Sequence, residues 1–399
     1  MKIKLASDLA EQKERSMQIL TRLSACTALA VSLLGCAITI EQGGGDLVTT
    51  DQFVPHVSTL PAIAGQKVGL FVRQKAAAGI AQGQRDMTGR VVLFVHGATV
   101  PGVPDYDLDH RTYNWMAFLA RAGFNVYTMD LSGYGGSPRP MMDDPCNANP
   151  KQQSLLQGRP LKTACAPNYP YEFSTIRDDW AEMDTVVDHL RKSNRVERIH
   201  IIGWSAGGPR VGGYAAQHPA KIDRMMLYAP SPTRVGPIPD RPADGFPLTL
   251  QTREDFEKRW DPEVRCAGQL EPGVRDVVWR TIMEWDRVGA SWHSSEGVMR
   301  GRNATRFGWT QDLASKVVAP TLVMVGEFDR LSERRTVYEQ IGSKDKVFVN
   351  VSCASHFMLW EKQHRALQDA SLEWLRDGRL QGITRGEVRV DPDGRFIRQ

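Results

Sequence analysis

From Val68 onward the chain alternates between short apolar runs and longer segments of helical spacing. Val68–Val72 reads as a strand, and Val91–Val95 is a continuous valine-rich run, as expected where both faces of a strand are covered. Tyr113–Ala122 has helical spacing and stops at Gly123, a C-cap residue. Phe124–Met129 predicts the next strand, closed by Asp130, and an irregular stretch rich in Pro, Asn and Lys follows Pro138 as far as about Pro170. Residues 176–192 predict a helix with Trp180, Met183, Val186, Val187 and Leu190 on its apolar face. Ile199–Ile202 is a strand, a helix opens at Ser205, and Arg224–Tyr228, Thr321–Val325 and Val347–Val351 complete the strands. Strands alternating with helices imply parallel pairing, so the expected class is α/β: a mostly parallel central sheet with helices on both faces.

Residues 231–312 break this rhythm. They hold helical stretches around Arg253–Trp260 and Val274–Arg287 and five of the ten tryptophans: Trp260, Trp279, Trp285, Trp292 and Trp309. We expect an inserted helical cap there, between a first part of the core at 51–230 and a second at 313–380. The extension 381–399 contains Asp391-Pro-Asp-Gly394, a turn between two short strands.

The amino terminus has a different character. Leu23–Gly35 is uncharged and mostly apolar or small, follows Arg22, and ends at Cys36. The run falls short of the about 20 apolar residues a spanning helix needs but has the length of a signal-peptide core. Leu33-Leu34-Gly35-Cys36 looks like a bacterial lipobox, although Leu34 stands where a smaller residue is usual. The acidic Asp8, Glu11 and Glu14 are foreign to such a leader, and a start at Met17 would leave a normal one; a buried amphipathic helix is the alternative. The expectation is a signal peptide at 1–36, lipidation of Cys36, a glycine-rich tether at 37–50, and attachment to a bacterial membrane in the periplasm or cell envelope.

Composition narrows the field only a little. The 399 residues are 41% hydrophobic and 24% charged with a net charge of +4, ordinary values for a globular chain with a large core. Basic and acidic residues are interspersed, which argues against nucleic acid as a partner. Beyond Cys26 and Cys36 four cysteines remain, an even number that two disulfides would use up in an oxidising compartment. Four cysteines allow three connectivities. Cys146 with Cys165 would close a local loop and leave Cys266 with Cys353; buried free thiols are the alternative. No zinc spacing and no nucleotide motif occurs, so no cofactor is expected.

The chemistry concentrates at strand ends. Gly203-Trp204-Ser205-Ala206-Gly207 lies between a strand and a helix, where a serine sits on a sharp turn above the sheet. The N–H of Ala206 then heads the helix, where an anion is favoured. His96-Gly97-Ala98-Thr99 follows the strand Val91–Val95, and its loop can aim the Ala98 N–H at the same oxygen. His96 itself is expected to hold the loop and transfer no proton, and Trp204, beside the serine, is a candidate substrate contact. Asp105–Asp109 could bind calcium, but a solvated acidic loop is the expected role.

These motifs, with Asp130–Ser137, Val325-Gly-Glu-Phe-Asp329 and Ser355-His356-Phe357, resemble the α/β-hydrolase superfamily over roughly Val68 to Gly378. The resemblance implies a triad in the order Ser205, Asp329, His356. The chemistry asks for the same roles: a serine hydroxyl needs a base near neutral pH, and imidazole needs an anion to fix its tautomer. Glu327 is the rival acid and His364 the rival base. Relatives that act on haloalkanes or epoxides carry aspartate where Ser205 stands, which disfavours that chemistry. The expected activity is cleavage of a carboxylic ester of a small, partly apolar or aromatic molecule. Amide hydrolysis, C–C bond hydrolysis and acyl transfer use the same triad, and a non-catalytic binding lipoprotein is the remaining alternative. Oligomeric state is not legible.

Overall fold

The computed structural model describes residues 46–399 apart from 82, 84, 305–307 and 332–334; the leader, the lipobox and Cys36 lie outside the described residues. Ten strands form one sheet. In chain order they are β1 (Leu47–Val57), β2 (Lys67–Ala77), β3 (Val91–Val95), β4 (Asn125–Met129), β5 (Ile199–Trp204), β6 (Ile222–Tyr228), then, after a separate ribbon of β7 (Leu248–Gln251) and β8 (Met299–Arg302), β9 (Thr321–Gly326), β10 (Lys346–Val351), β11 (Gly386–Val390) and β12 (Phe396–Arg398). The spatial order is β1-β2-β4-β3-β5-β6-β9-β10-β11-β12. Pairing is parallel from β4 through β11 and antiparallel at the two edges.

The predicted strands all appear, and the innermost of them are apolar runs covered on both faces. Every residue of β3, β4 and β5 is buried. One apolar cluster lies on each face, and burying a Val, Leu, Ile or Phe side chain fully contributes about 1.5–3 kcal/mol. The helix Ile176–Asn194 has a complete capping box between Thr175 and Asp178. Four features exceed the expectation. β1 begins at Leu47, within the stretch 37–50 expected as tether. The terminal extension joins the sheet, since β11 pairs with β10 and turns back as β12. The segment between β6 and β9 holds the antiparallel β7–β8 ribbon as well as the helices Arg253–Trp260, Val274–Glu284 and Arg287–Ser291. Finally, part of the irregular stretch 138–170 packs on this insert: Leu156 and Leu161 share a cluster with Leu248, Leu250 and Trp292.

Both bridges are formed, Cys146 to Cys165 and Cys266 to Cys353. The first closes a loop within the stretch 138–170; the second ties the insert to the loop after β10. Among the described residues no helix is long and apolar enough to cross a membrane.

Candidate active site

The chain runs from β3 to β4 on one side, then returns to lay β5 on the other side of β3. A crevice opens outside the carboxyl ends of strands where the order reverses in this way. His96 follows β3 and Ser205 follows β5, so the two loops meet there. Four of the nine left-handed non-glycine residues among the described residues lie at the same edge: Thr99 (φ 68°), Ser205 (φ 53°), Ala229 (φ 44°) and Cys353 (φ 53°) follow β3, β5, β6 and β10. Left-handed backbone at a residue with a side chain costs about 1–3 kcal/mol and persists only where its surroundings enforce it. At Ser205 the enforcement is visible. Its N–H donates to Tyr228 O at 3.0 Å, and its carbonyl accepts from Gly208 and Ser231, both at 2.9 Å. The flanking glycines are there because the backbones approach closely. A Cβ on Gly203 would lie 2.5 Å from Gly207 O, and one on Gly207 2.5 Å from Val95 O.

His356 and Asp329 meet. Nδ1 of His356 lies 3.2 Å from both carboxylate oxygens of Asp329, and both residues are buried. The carboxylate also accepts the Leu331 N–H at 2.8 Å, which fixes its orientation. Of the rivals, Glu327 accepts the Cys353 N–H at 3.2 Å and so braces the loop rather than the imidazole. His364 sits at the start of the helix His364–Asp377, stacked on Tyr113, with its ring nitrogens on Thr112 Oγ1 and Glu361 O. Burial pushes its pKa down to about 4.

The loop after β3, expected to carry an oxyanion donor, is pinned from several sides. His96 is buried; its Nε2 accepts the Leu131 N–H, which leaves Nδ1 to donate to Gly97 O at 2.8 Å. Burial, helped by the nearby Arg210, holds this imidazole well below its ordinary pKa, so it is a neutral strut. Gly97 N–H donates to Asp105 Oδ2 at 3.2 Å, and a Cβ on Gly97 would stand 3.4 Å from Ser205 Cβ. Among the described residues neither the Ala98 nor the Ala206 N–H has an acceptor within the chain. Ala206 occupies the N-cap of the helix Gly207–Gln217.

Two expectations need correction. The acidic stretch is not solvated: Asp105 and Asp107 are buried, and Asp107 pairs with Arg73 at 3.1 Å and Lys75 at 2.7 Å. Burial raises the Asp105 carboxyl well above the usual range, with the Gly97 N–H opposing. No group of side chains suited to a metal ion occurs among the described residues. Trp204, the candidate substrate contact, is only 2% exposed; its Nε1–H donates to His356 O at 3.0 Å and its ring stacks on Tyr228. It supports the histidine from beneath. Likewise Trp260, Trp279, Trp292 and Trp309 are buried in packing, so they give no support to an aromatic substrate wall. A surface cavity of about 500 Å³ between Pro61, Tyr169, Tyr171 and Arg241 contains none of the residues above.

Some of what holds the site went unread in the sequence. Arg210, on the elbow helix, is buried and donates through Nη1 to the carbonyls of His96 (2.7 Å) and Gly97 (2.9 Å). Its Nε bonds Asp179, which also takes Arg302 from β8 at 2.5–2.6 Å. Glu263 and Glu361 bond the histidine loop. A charged residue in the glycine-rich Gly207–Gly213 stretch was the available signal for Arg210; the glutamates gave none.

A family model described as the alpha/beta hydrolase fold matches residues 90–363. The AB hydrolase superfamily protein YisY of Bacillus subtilis (strain 168) is 24% identical over 288 residues, which cover 69% of this chain and 88% of that protein. The solved carboxylesterase CesB (YbfK) of Bacillus subtilis is similar in fold, with a TM-score of 0.50 at 14% identity over 83% of this chain and 93% of that one. With the family model spanning well over half of its length, and a strand order that sets a serine turn beside the loop after β3, this chain belongs to the alpha/beta hydrolase fold family.

Proposed function

We propose that the protein is a serine hydrolase that cleaves a carboxylic ester of a small molecule through an acyl-enzyme on Ser205. The observation that carries this reading is the contact of His356 Nδ1 with both oxygens of Asp329, in a loop whose His356 O accepts the indole N–H of Trp204, the residue before Ser205 on its strained strand-to-helix turn. The Asp329 carboxylate holds Nδ1 protonated, so Nε2 is the basic nitrogen. Nε2 takes the Ser205 proton as Oγ attacks the carbonyl carbon. The resulting oxyanion lies between the Ala98 and Ala206 N–H groups, and each such donor contributes about 3–4 kcal/mol to the transition state. Collapse of this intermediate expels the alcohol, which leaves with the proton from Nε2. Water, deprotonated by Nε2, then attacks the acyl-enzyme, and the acid departs with Ser205 restored.

The test is release of nitrophenol from a series of acyl esters by the wild type and Ser205→Ala. We expect turnover with a chain-length optimum, and at least a thousand-fold loss in the variant, on the order of what triad removal costs. Turnover by both proteins would show that the nucleophile lies elsewhere. We also read the chain as an exported bacterial lipoprotein attached through Cys36. The apolar stretch Leu23–Gly35 supports this, as do two disulfides, which persist in oxidising compartments.

A further inference from the structure

Residues 260–269 of the insert touch the histidine loop at several points. Trp260 Nε1 and Gln269 Nε2 donate to the two carboxylate oxygens of Glu361, at 2.7 and 3.1 Å. Glu361 in turn receives the N–H and hydroxyl of Ser355. Lys362 N–H donates to Gln269 O at 2.9 Å, and Cys266 is bonded to Cys353. Between these lies Glu263, at the end of the turn Asp261–Glu263 and 1% exposed. Its Oε2 accepts the N–H of His356 at 2.8 Å, and its Oε1 accepts the N–H of Arg330 at 3.1 Å. Arg330 directly follows Asp329. One carboxylate from the insert therefore spans the loop after β10, which carries the histidine, and the loop after β9, which carries the aspartate.

We infer that Glu263 is a positioning residue for the Asp329–His356 pair, and that the insert is a fixed part of the catalytic frame rather than a lid; this rests on the triad reading above. Two backbone N–H groups donate to one rigid planar group, so the spacing of the two loops is set by the width of a carboxylate. Without it both N–H groups are buried and unpaired, and the loops separate. A misplacement near 1 Å at a reacting group costs about a hundred-fold in rate. Glu361 does not substitute, because its oxygens are occupied by Ser355, Trp260 and Gln269.

The experiment uses the full chain with Glu263→Ala and Glu263→Gln, and Ser205→Ala as control. kcat and KM are measured on nitrophenyl butyrate, together with the second-order rate of Ser205 labelling by a fluorophosphonate. Circular dichroism and thermal melting establish the folded fraction. Glu263→Gln keeps the volume and one acceptor but turns an NH2 towards the other N–H. We expect kcat and the labelling rate to fall about ten-fold in Glu263→Gln and up to about a hundred-fold in Glu263→Ala, with KM within about three-fold. If Glu263→Ala does not fold, Glu263→Gln decides. A lowered melting temperature with wild-type kcat per folded molecule would overturn the inference. A Ser205→Ala protein that still turns over would instead overturn the triad reading on which it rests.

Discussion

Arg210 offers the sharpest test of how the fold would aim the proposed oxyanion donors. The carbonyl of Gly97 and the N–H of Ala98 belong to one planar, trans peptide unit and point in opposite directions. Whatever holds the Gly97 oxygen thereby orients the Ala98 N–H. Two donors hold it: Arg210 Nη1 at 2.9 Å and His96 Nδ1 at 2.8 Å. Arg210 also holds the preceding carbonyl, His96 O, at 2.7 Å. Replacing Arg210 by Met keeps the apolar stem but removes both bonds to the loop carbonyls and the bond to Asp179, which retains Arg302. His96 O is then a buried acceptor without a donor, which costs about 1–3 kcal/mol. The Gly97–Ala98 unit is left to the adjacent imidazole alone. The loop can relieve the stranded carbonyl only by turning its peptide units, and that turns the Ala98 N–H away from Ser205. Complete loss of one oxyanion donor costs about 10²–10³ in kcat, an upper limit here because His96 remains.

We therefore expect Arg210→Met to lose about ten- to a hundred-fold in kcat with KM little changed, and about 1–3 kcal/mol of stability if the loop keeps its shape. Urea unfolding and ester kinetics, measured on the same preparation, read both quantities. Asp179→Ala is the informative companion. It leaves Arg210 on the loop carbonyls but strips the buried carboxylate from two guanidiniums, Arg210 and Arg302. Breaking a buried pair from one side costs about 3–5 kcal/mol, so this variant should lose more stability than Arg210→Met while its folded fraction keeps kcat within about ten-fold. Wild-type kcat and a wild-type urea midpoint in Arg210→Met would refute the reasoning.

Two further predictions concern pH and location. Glu182 is buried with its carboxylate on the Ser132 N–H, and burial pushes its carboxyl from 4.5 up to about 7 against that bond. The folded state thus holds this proton more tightly than the unfolded chain. The group's stabilising contribution is full below about pH 4.5 and is lost as pH rises towards 7, on the order of 3 kcal/mol in all. Glu182→Gln should remove that part of the change in urea midpoint between pH 5 and 8; an identical change in both proteins would count against it. For the leader, feeding an alkyne-bearing fatty acid to a bacterial host should label the wild type and not Cys36→Ser, with the wild type in the membrane fraction. Equal labelling would exclude Cys36 as the acceptor.

What could be read from the sequence, and what could not, divides by the reach of the interactions. β3, β5, β9 and β10 are valine- and isoleucine-rich runs buried on both faces, and nothing distant is needed to recognise them. Ser205, Asp329 and His356 each lie just past such a run, and the family resemblance supplied the roles proposed for them. β1 was not legible. Its outward face mixes Thr49 and Asp51 with exposed Phe53 and Val57, so no clean alternation marks it, and Pro55 interrupts it, which an edge strand tolerates and a central one does not. β8 was hidden more deeply. Met299-Arg-Gly-Arg302 reads as a polar loop, yet all four residues are buried. Arg300 is made tolerable by Asp286 and Arg302 by Asp179, partners 14 and 123 residues away.

The acidic stretch Asp105–Asp109 misled through the same mechanism. A run of carboxylates reads as solvated unless one knows that Arg73 and Lys75 lie beside Asp107 and that Gly97 offers its N–H to Asp105. The proposed nucleophile, base and acid are thus marked by local pattern, while the groups that would aim them are marked by none. Arg210, Asp179 and Glu263 are charged side chains inside the protein, and each is stable there only because of donors or acceptors brought from other parts of the chain. Burying a charge without such partners is strongly unfavourable, so these residues require the completed fold and in turn fix its loops. The β7–β8 ribbon supplies Arg302, and the turn Asp261–Glu263 supplies Glu263. In this molecule the insert therefore braces both halves of the proposed catalytic frame: the loop after β3 through Asp179 and Arg210, and the His356 and Asp329 loops through Glu263.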